Sequence, residues 1–393
     1  MPGPLHDIRV IDLATVVAGP GAARHLADFG ADVIKVERND GQGDGTRSLG
    51  WRDPSDDVTL WWKLIGRNKR TIVLDLKSPA GKRDLLRLAA TADVVIENFR
   101  PGTLERLQLG PTELHEANPD LVITRVTGFG QTGPYAQRPG FATLAEAMSG
   151  FAGLNGEPTE DGQPLLPPIA LTDEVTALVA SFATMVALHS RKGQIVDVNL
   201  LESMLQLMGP LPAAAHTLGY DQPRLGSGIP YSVPRGTYRT KDDQWVAIST
   251  SSEPVARRVL DLVGLGHDTT LHTSVGRVAH RAHVDDAVGR YVAERTAAEV
   301  IERFVEADAA IAPVLKMTDI VTDPHVVERG ILVEHEGVRT QAPVARLSET
   351  PGSIRWLGRA LGADTEAVLA ELDERTERPA TSPSSPASPP ASP

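Results

Sequence analysis

The residue with the most chemistry in reach is an aspartate at an abrupt helix start. Asp173 follows LLPPIALT, and Pro167 and Pro168 forbid helix just upstream, so a helix must begin near Thr172–Asp173. Position alone leaves two roles open. Thr and Asp are favoured at helix N-termini, where they cap orphan N–H groups. A carboxylate kept ionised there can also attack an activated acyl group and form an anhydride.

A second set of residues is basic and sits near the ends of apolar runs. Arg38 closes one run, Arg67, Lys69, Arg70 and Lys77 flank the next, Asn98 and Arg100 end a third, and Arg106 follows. Clusters of this kind recognise phosphate, because Arg makes paired, charge-assisted bonds to it. Convergence of these residues would predict a phosphorylated nucleotide ligand.

The first apolar run is followed by Ala18-Gly19-Pro20-Gly21-Ala22-Ala23-Arg24, with Glu37 ending the next run. The spacing approaches a dinucleotide-binding G-x-G-x-x-G loop. Arg24 stands at the third glycine position, where close helix–strand packing excludes a large side chain, so a nicotinamide or flavin cofactor is disfavoured. The stretch reads as a tight strand-to-helix turn, or as one whose N–H groups face another ligand. There is no G-x-S-x-G elbow, no G-x-x-x-x-G-K-[ST] loop and no H-E-x-x-H pair. His280 and His283, three apart with no third ligand in view, read as surface residues and not as a metal site.

These residues need a scaffold. IRVIDLA (8–14), DVIKVER (32–38), TIVLDL (71–76), DVVIENF (93–99), LVITRVTGF (121–129) and QIVDVNL (194–200) read as strands. Helical patterns lie between them, which predicts an α/β domain with a parallel sheet covered on both faces. Ligands of such sheets bind beyond the carboxyl ends of the strands. After Gly- and Pro-rich sequence, GTYRTKDDQWVAIST (236–250) reads as a hairpin turning at Asp242 and Asp243, and opens a smaller α+β domain.

Composition narrows the partners. The 393 residues suffice for two cores, and a net charge of −12 argues against nucleic acid. The chain has no cysteine, which excludes thiol catalysis and Cys-ligated metal and fits a cytoplasmic setting. No stretch reads as a membrane span, and the N-terminus lacks the basic-then-apolar pattern of a secretory leader.

Taken together, IDLATVVAGPGAARHLADFGADVIKVER, GRNKRTIVLDLK, ADVVIENFRPGTLERLQLG, NPDLVITRVTGFGQTGPYAQRPG and the LLPPIALTDEVTA segment resemble the class III CoA-transferases, the CaiB/BaiF family, in motif content and order. PYSVPRGTYRTKDDQWVAIS resembles the start of that family's small domain. The resemblance implies a Rossmann-like large domain, a smaller α+β domain and an interlocked homodimer. It divides the chain into a large CoA-binding domain (1–205), a linker (206–232), a small domain (233–320) and a return linker with the last part of the large domain (321–375); the remaining tail (376–393) is Pro/Ser-rich and reads as disordered from its composition.

The same resemblance implies chemistry. Asp173 matches the family's catalytic aspartate. It would pass through an aspartyl anhydride and an aspartyl-CoA thioester while CoA moves from an acyl-CoA to a carboxylic acid. CoA would be a substrate, with no tightly bound cofactor and no metal. Its contacts would be Val16, Ala18, Arg38, Leu74, Lys77, Asn98 and Arg106. Racemases of 2-methylacyl-CoA in the family use a histidine after the glycine that corresponds to Gly140; here that residue is Phe141, which favours transfer. A non-catalytic acyl-CoA-binding protein is the third reading. Val17 and the sparse glycines at 226 and 228 depart from the oxalate-specific members, so a more apolar acyl group is expected. Thr143, Glu146 and Tyr231 are further candidates for the acyl pocket.

Overall fold

A computed structural model describes residues 3–159 and 161–377; the Pro/Ser tail falls almost wholly outside them. Two compact units emerge. The first comprises Met1–Phe141, Ala170–Ser203 and the chain from Glu334; the second comprises Ala142–Ile169 and Met204–Val333. The stretch 142–169, which the sequence reading groups with the large domain, clusters with the second unit.

The first unit is built on six parallel strands. They are β1 (Arg9–Asp12), β2 (Asp32–Glu37), β3 (Lys69–Val73), β4 (Val94–Glu97), β5 (Val122–Thr127) and β6 (Gln194–Asn199), in the order β3-β2-β1-β4-β5-β6. This doubly wound order reverses direction between β1 and β4, which opens a crevice at their carboxyl ends. Each strand falls within or beside a run of Val and Ile noted above; β3 begins two residues earlier, at Lys69.

One face of the sheet is covered by α2 (Pro79–Ala89) and by the helix Thr365–Glu377. Ile11, Ile34, Ile72, Val95 and Ile123 meet Leu85, Leu88 and Leu372 there, all essentially removed from solvent. Helices α1 (Ala18–Asp28) and α4 (Leu171–Ser190) pack against each other and also against the sheet; α3 is the short turn Thr103–Arg106 after β4. Their approach is close because the contact residues are small: a Cβ on Gly21 would lie 2.9 Å from the Ala177 Cβ. Thr124 on β5 and Thr184 on α4 share a buried hydrogen bond of 2.7 Å.

Helix α4 corrects one expectation. It is long and apolar enough to cross a membrane by length and composition. Its small residues Ala177, Ala180, Thr184 and Ala187 are buried within the unit, whereas Leu178, Phe182 and Val186 are exposed. Spaced at i, i+4 and i+8, these three form one apolar stripe.

The second unit is α+β. Strands β7 (Arg235–Arg239) and β8 (Trp245–Ser249) form an antiparallel hairpin, and β9 (Ile311–Pro313) joins β8. The turn falls where the Asp pair predicts it, with Asp243 at φ 59°. Helices α5 (Glu253–Leu262), α6 (Arg281–Ala293) and α7 (Ala297–Glu306) supply Val259, Val288, Val292, Val300 and Phe304 to a core with Val246 and Ile248. Thr296 and Glu299 form a reciprocal capping box that starts α7.

Candidate active site

The crevice predicted by the strand order is present in the first unit as a cavity of about 450 Å³. Its lining comes from the ends of β1 to β4 and from α3, and includes Leu13, Thr15, Arg38, Leu74, Lys77 and Phe99. Of the seven residues expected to contact CoA, Arg38, Leu74 and Lys77 line it directly. Leu74 is buried and forms an apolar wall, while Arg38 and Lys77 are exposed cations at its rim. The Arg38 guanidinium donates to the Gly43 carbonyl at 2.9 Å and lies 3.3 Å from Asp40.

The other four sit around the cavity without being part of its wall. Asn98 is half-buried, accepts a hydrogen bond from the Thr15 N–H at 2.9 Å and donates to the Thr15 carbonyl at 2.8 Å. It therefore grips the turn that Val16 and Ala18 occupy. Val16 is exposed, with φ 70°, a left-handed conformation uncommon for any side chain and strained for a β-branched one. Ala18 is buried as the first residue of α1, and no side chain caps that helix. Arg106 is exposed and donates to the Thr103 hydroxyl at 3.0 Å, which places it one residue contact behind the rim.

Three of the basic residues expected to converge on phosphate are instead structural. Arg67 is buried and forms a paired bond to Asp28, at 2.9 and 2.5 Å. Lys69 is fully buried, 2.8 Å from Asp12 and 2.6 Å from the Pro20 carbonyl. Arg70 pairs with Asp32 and Glu371. Anionic partners elsewhere in the fold claimed them, and their distance in sequence hid this.

Beneath the cavity lies a group that the sequence reading passed over. Lys35 and Asp44 line the cavity and are nearly inaccessible, paired at 2.9 Å; Lys35 also lies 3.7 Å from Asp12. Burial alone would lower the Lys35 pKa, but Asp12 and Asp44 outweigh it and hold the ammonium above its ordinary value. Burial wins at Lys69, whose pKa falls to about 8. Glu37, also buried, takes a paired bond from Arg47 at 2.7 Å. The signal was available: Asp12, Lys35 and Glu37 interrupt apolar strands of a sheet expected to be covered on both faces, and buried charges must be paired.

Asp173 is the third helical residue of α4. Ala170 is the N-cap and makes no side-chain bond, which puts Asp173 at the third position of the first turn and not at the cap itself. The carboxylate is half-buried in the first turn, where the helix dipole favours negative charge. Its neighbour Glu174 accepts a bond from Arg24 on α1 at 3.1 Å. Arg24, at the position where a dinucleotide loop needs glycine, is buried, and burial lowers its pKa.

The loop after β5 ends at the residue that a two-base racemase would need as histidine. Gly128 and Gly140 cross backbone to backbone, and Phe141 beyond them is 69% exposed. In the second unit Thr143 and Tyr231 are exposed and Glu146 is buried; none of the three lines the cavity of the first unit. No cluster of three potential metal ligands occurs among the described residues.

The chain is similar to known proteins over almost its whole length. The chain is 41% identical to the succinyl-CoA–L-malate CoA-transferase beta subunit of Chloroflexus aurantiacus, over 94% of each chain. It is 37% identical to the succinyl-CoA–D-citramalate CoA-transferase of the same organism, over 96% of each. A CaiB/BaiF family protein from Brucella suis has the same fold, with a TM-score of 0.83, 30% identity, and coverage of 95% of this chain and 100% of that one. The model of CoA-transferase family III matches residues 5–365, and the chain belongs to that family.

Proposed function

We propose that the chain moves CoA from an acyl-CoA to a free carboxylic acid, with Asp173 as nucleophile. The observation that carries this reading is the placement of Asp173 in the first turn of α4, whose neighbour is tied to the helix that starts at the Val16 turn. The Asp173 carboxylate attacks the donor thioester, forming a mixed anhydride and releasing CoA thiolate. The thiolate attacks the aspartyl carbonyl, releasing the first carboxylate and leaving an aspartyl-CoA thioester. The acceptor carboxylate attacks that thioester, and the thiolate attacks the new anhydride at the acceptor carbonyl, regenerating Asp173. Thioester energy is conserved at each step, provided water is excluded from both intermediates.

Arg38 and Lys77 suit the phosphates of the nucleotide end, and buried Leu74 its apolar ring. Val16, Ala18, Asn98 and Arg106 complete the binding surface through the turn and α3. The two relatives named above are named for succinyl-CoA with malate or citramalate, so a dicarboxylyl-CoA donor and a hydroxy-dicarboxylate acceptor are the first substrates to try. Racemisation across an α-carbon would need a second base, and residue 141 is Phe.

We also propose a homodimer, supported by the exposed stripe Leu178, Phe182 and Val186 on α4 and by exposed Ile195 on edge strand β6. Free CoA thiol requires a reducing compartment, and a chain without cysteine suits the cytoplasm.

The test is to incubate the protein with succinyl-CoA and a panel of carboxylates, trap with hydroxylamine or borohydride, and weigh the intact chain. A mass change lost in Asp173→Ala, together with new acyl-CoA, is the expected result. Solvent deuterium entering an α-carbon without any trapped species would make the protein a racemase. Binding with neither outcome would make it a non-catalytic acyl-CoA carrier.

A further inference from the structure

Six side-chain bonds converge on the backbone of the turn between β1 and α1. Asp12 accepts from the Ala14 N–H at 3.1 Å, and the Lys35 ammonium donates to the Ala14 carbonyl. Asn98 takes both the N–H and the carbonyl of Thr15. Asp44 accepts from the Val16 N–H at 3.3 Å, and Lys69 donates to the Pro20 carbonyl at 2.6 Å. Of these five residues only Asn98 has more than a trace of exposure, and Asp12, Lys35, Asp44 and Lys69 form one chain of ion pairs.

The turn they hold is not one that its sequence adopts easily. Val16 sits at φ 70°, where its branched side chain is crowded, and such strain persists only when the surroundings over-determine it. Its side chain is 45% exposed, so packing does not hold it there. The polar cluster does. Burying four charges to support the backbone of three residues is a poor route to stability, since apolar residues of similar volume serve as well or better. The arrangement makes sense if the geometry of the turn is what matters.

We propose that Lys35 and Asp44 are positioning residues for acyl-CoA: they touch no part of the reaction and act by holding Val16 in the left-handed conformation, which sets the direction of the uncapped first turn of α1 at the cavity edge. This rests on the reading of the cavity as the CoA site. It does not depend on the identity of the nucleophile.

The test uses CoA binding to the full chain by calorimetry, which needs no turnover. Lys35→Met combined with Asp44→Leu removes the pair and both of its bonds to the turn while keeping charge balance and approximate shape, and leaves the Asp12–Lys69 pair intact. CoA affinity is expected to fall at least about tenfold, with the thermal midpoint reported alongside. In a Val16→Gly background the same double change is expected to cost at least about threefold less affinity, measured against Val16→Gly alone, because glycine reaches positive φ without strain. Unchanged affinity in the double variant overturns the proposal. So does a loss that Val16→Gly leaves untouched, since the pair would then act on the ligand directly or on the fold alone. If the double variant does not fold, Lys35→Met alone, which removes the bond to the Ala14 carbonyl, is read by the same criteria with and without Val16→Gly. Failure of the unaltered protein to bind CoA is a separate outcome: it overturns the assignment of the cavity itself.

Discussion

Arg24 on α1 and Glu174 on α4 meet at 3.1 Å, so the helix that begins at the Val16 turn is tied to the helix whose first turn carries Asp173. Arg24 is almost wholly buried while the Glu174 side chain is 36% exposed. Solvent screens such a pair, and its net worth to stability is about 1 kcal/mol or less. Its value is geometric. Arg24→Met, with Glu174 free to turn to water, is expected to leave the urea midpoint nearly unchanged while kcat falls about tenfold, as small misplacements of a reacting group do. An intact kcat with a large loss of stability would make the pair merely structural.

Gly128 and Gly140 supply a second close constraint. A Cβ on Gly128 would lie 2.4 Å from the Gly140 Cα, and one on Gly140 would lie 2.5 Å from the Gly128 Cα. Both obstacles are backbone, so neither can swing aside. Gly128→Ala is expected to destabilise the chain by about 1–3 kcal/mol through overpacking, measured by urea unfolding. The same substitution displaces the loop that ends at Phe141.

The strands were legible because a covered parallel sheet demands continuous Val and Ile, and β1 to β6 supply it. Arg24 was legible as an obstacle to a dinucleotide loop, though nothing in the sequence showed that it pairs with a residue 150 positions away. The basic cluster was half legible. Arg38 and Lys77 reach the cavity, but Arg67, Lys69 and Arg70 answer to Asp28, Asp12 and Asp32, and pairings across strands cannot be read from spacing within one. Position placed the helix start to within a residue, at Leu171, but not its cap: Ala170, a residue with no capping side chain, holds that place. The motif order identified the family where single residues left Asp173 undecided.

Arg38 offers a direct test of the cavity. Its guanidinium is 60% exposed on the side chain and its ion pair with Asp40 is a surface one. Arg38→Ala is therefore expected to change stability by less than about 1 kcal/mol. KM for acyl-CoA is expected to rise about tenfold or more, because a charge-assisted contact to phosphate is lost. The corresponding acyl-pantetheine thioester lacks the nucleotide end, and its KM is expected to be the same in both proteins. A rise with both substrates would place Arg38 at the acyl group instead.

His25 gives the fold a defined acid sensitivity. Its Nε2 accepts a hydrogen bond from Arg24 at 3.1 Å, which requires the neutral ring. Burial, reinforced by Arg24, Arg67 and Lys69, lowers its pKa to about 3 from an ordinary 6.5. Between these values the unfolded chain binds a proton that the folded chain refuses. Stability contributed by His25 is thus fully present above pH 6.5 and is lost as pH falls toward 3, with a slope of at most about 1.4 kcal/mol per pH unit. His25→Gln keeps an acceptor for Arg24 and cannot titrate. Urea unfolding at pH 7, 6 and 5 is expected to show a shallower decline in the variant than in the unaltered protein. Equal slopes would mean that the folded chain carries His25 protonated, with Arg24 turned away from it.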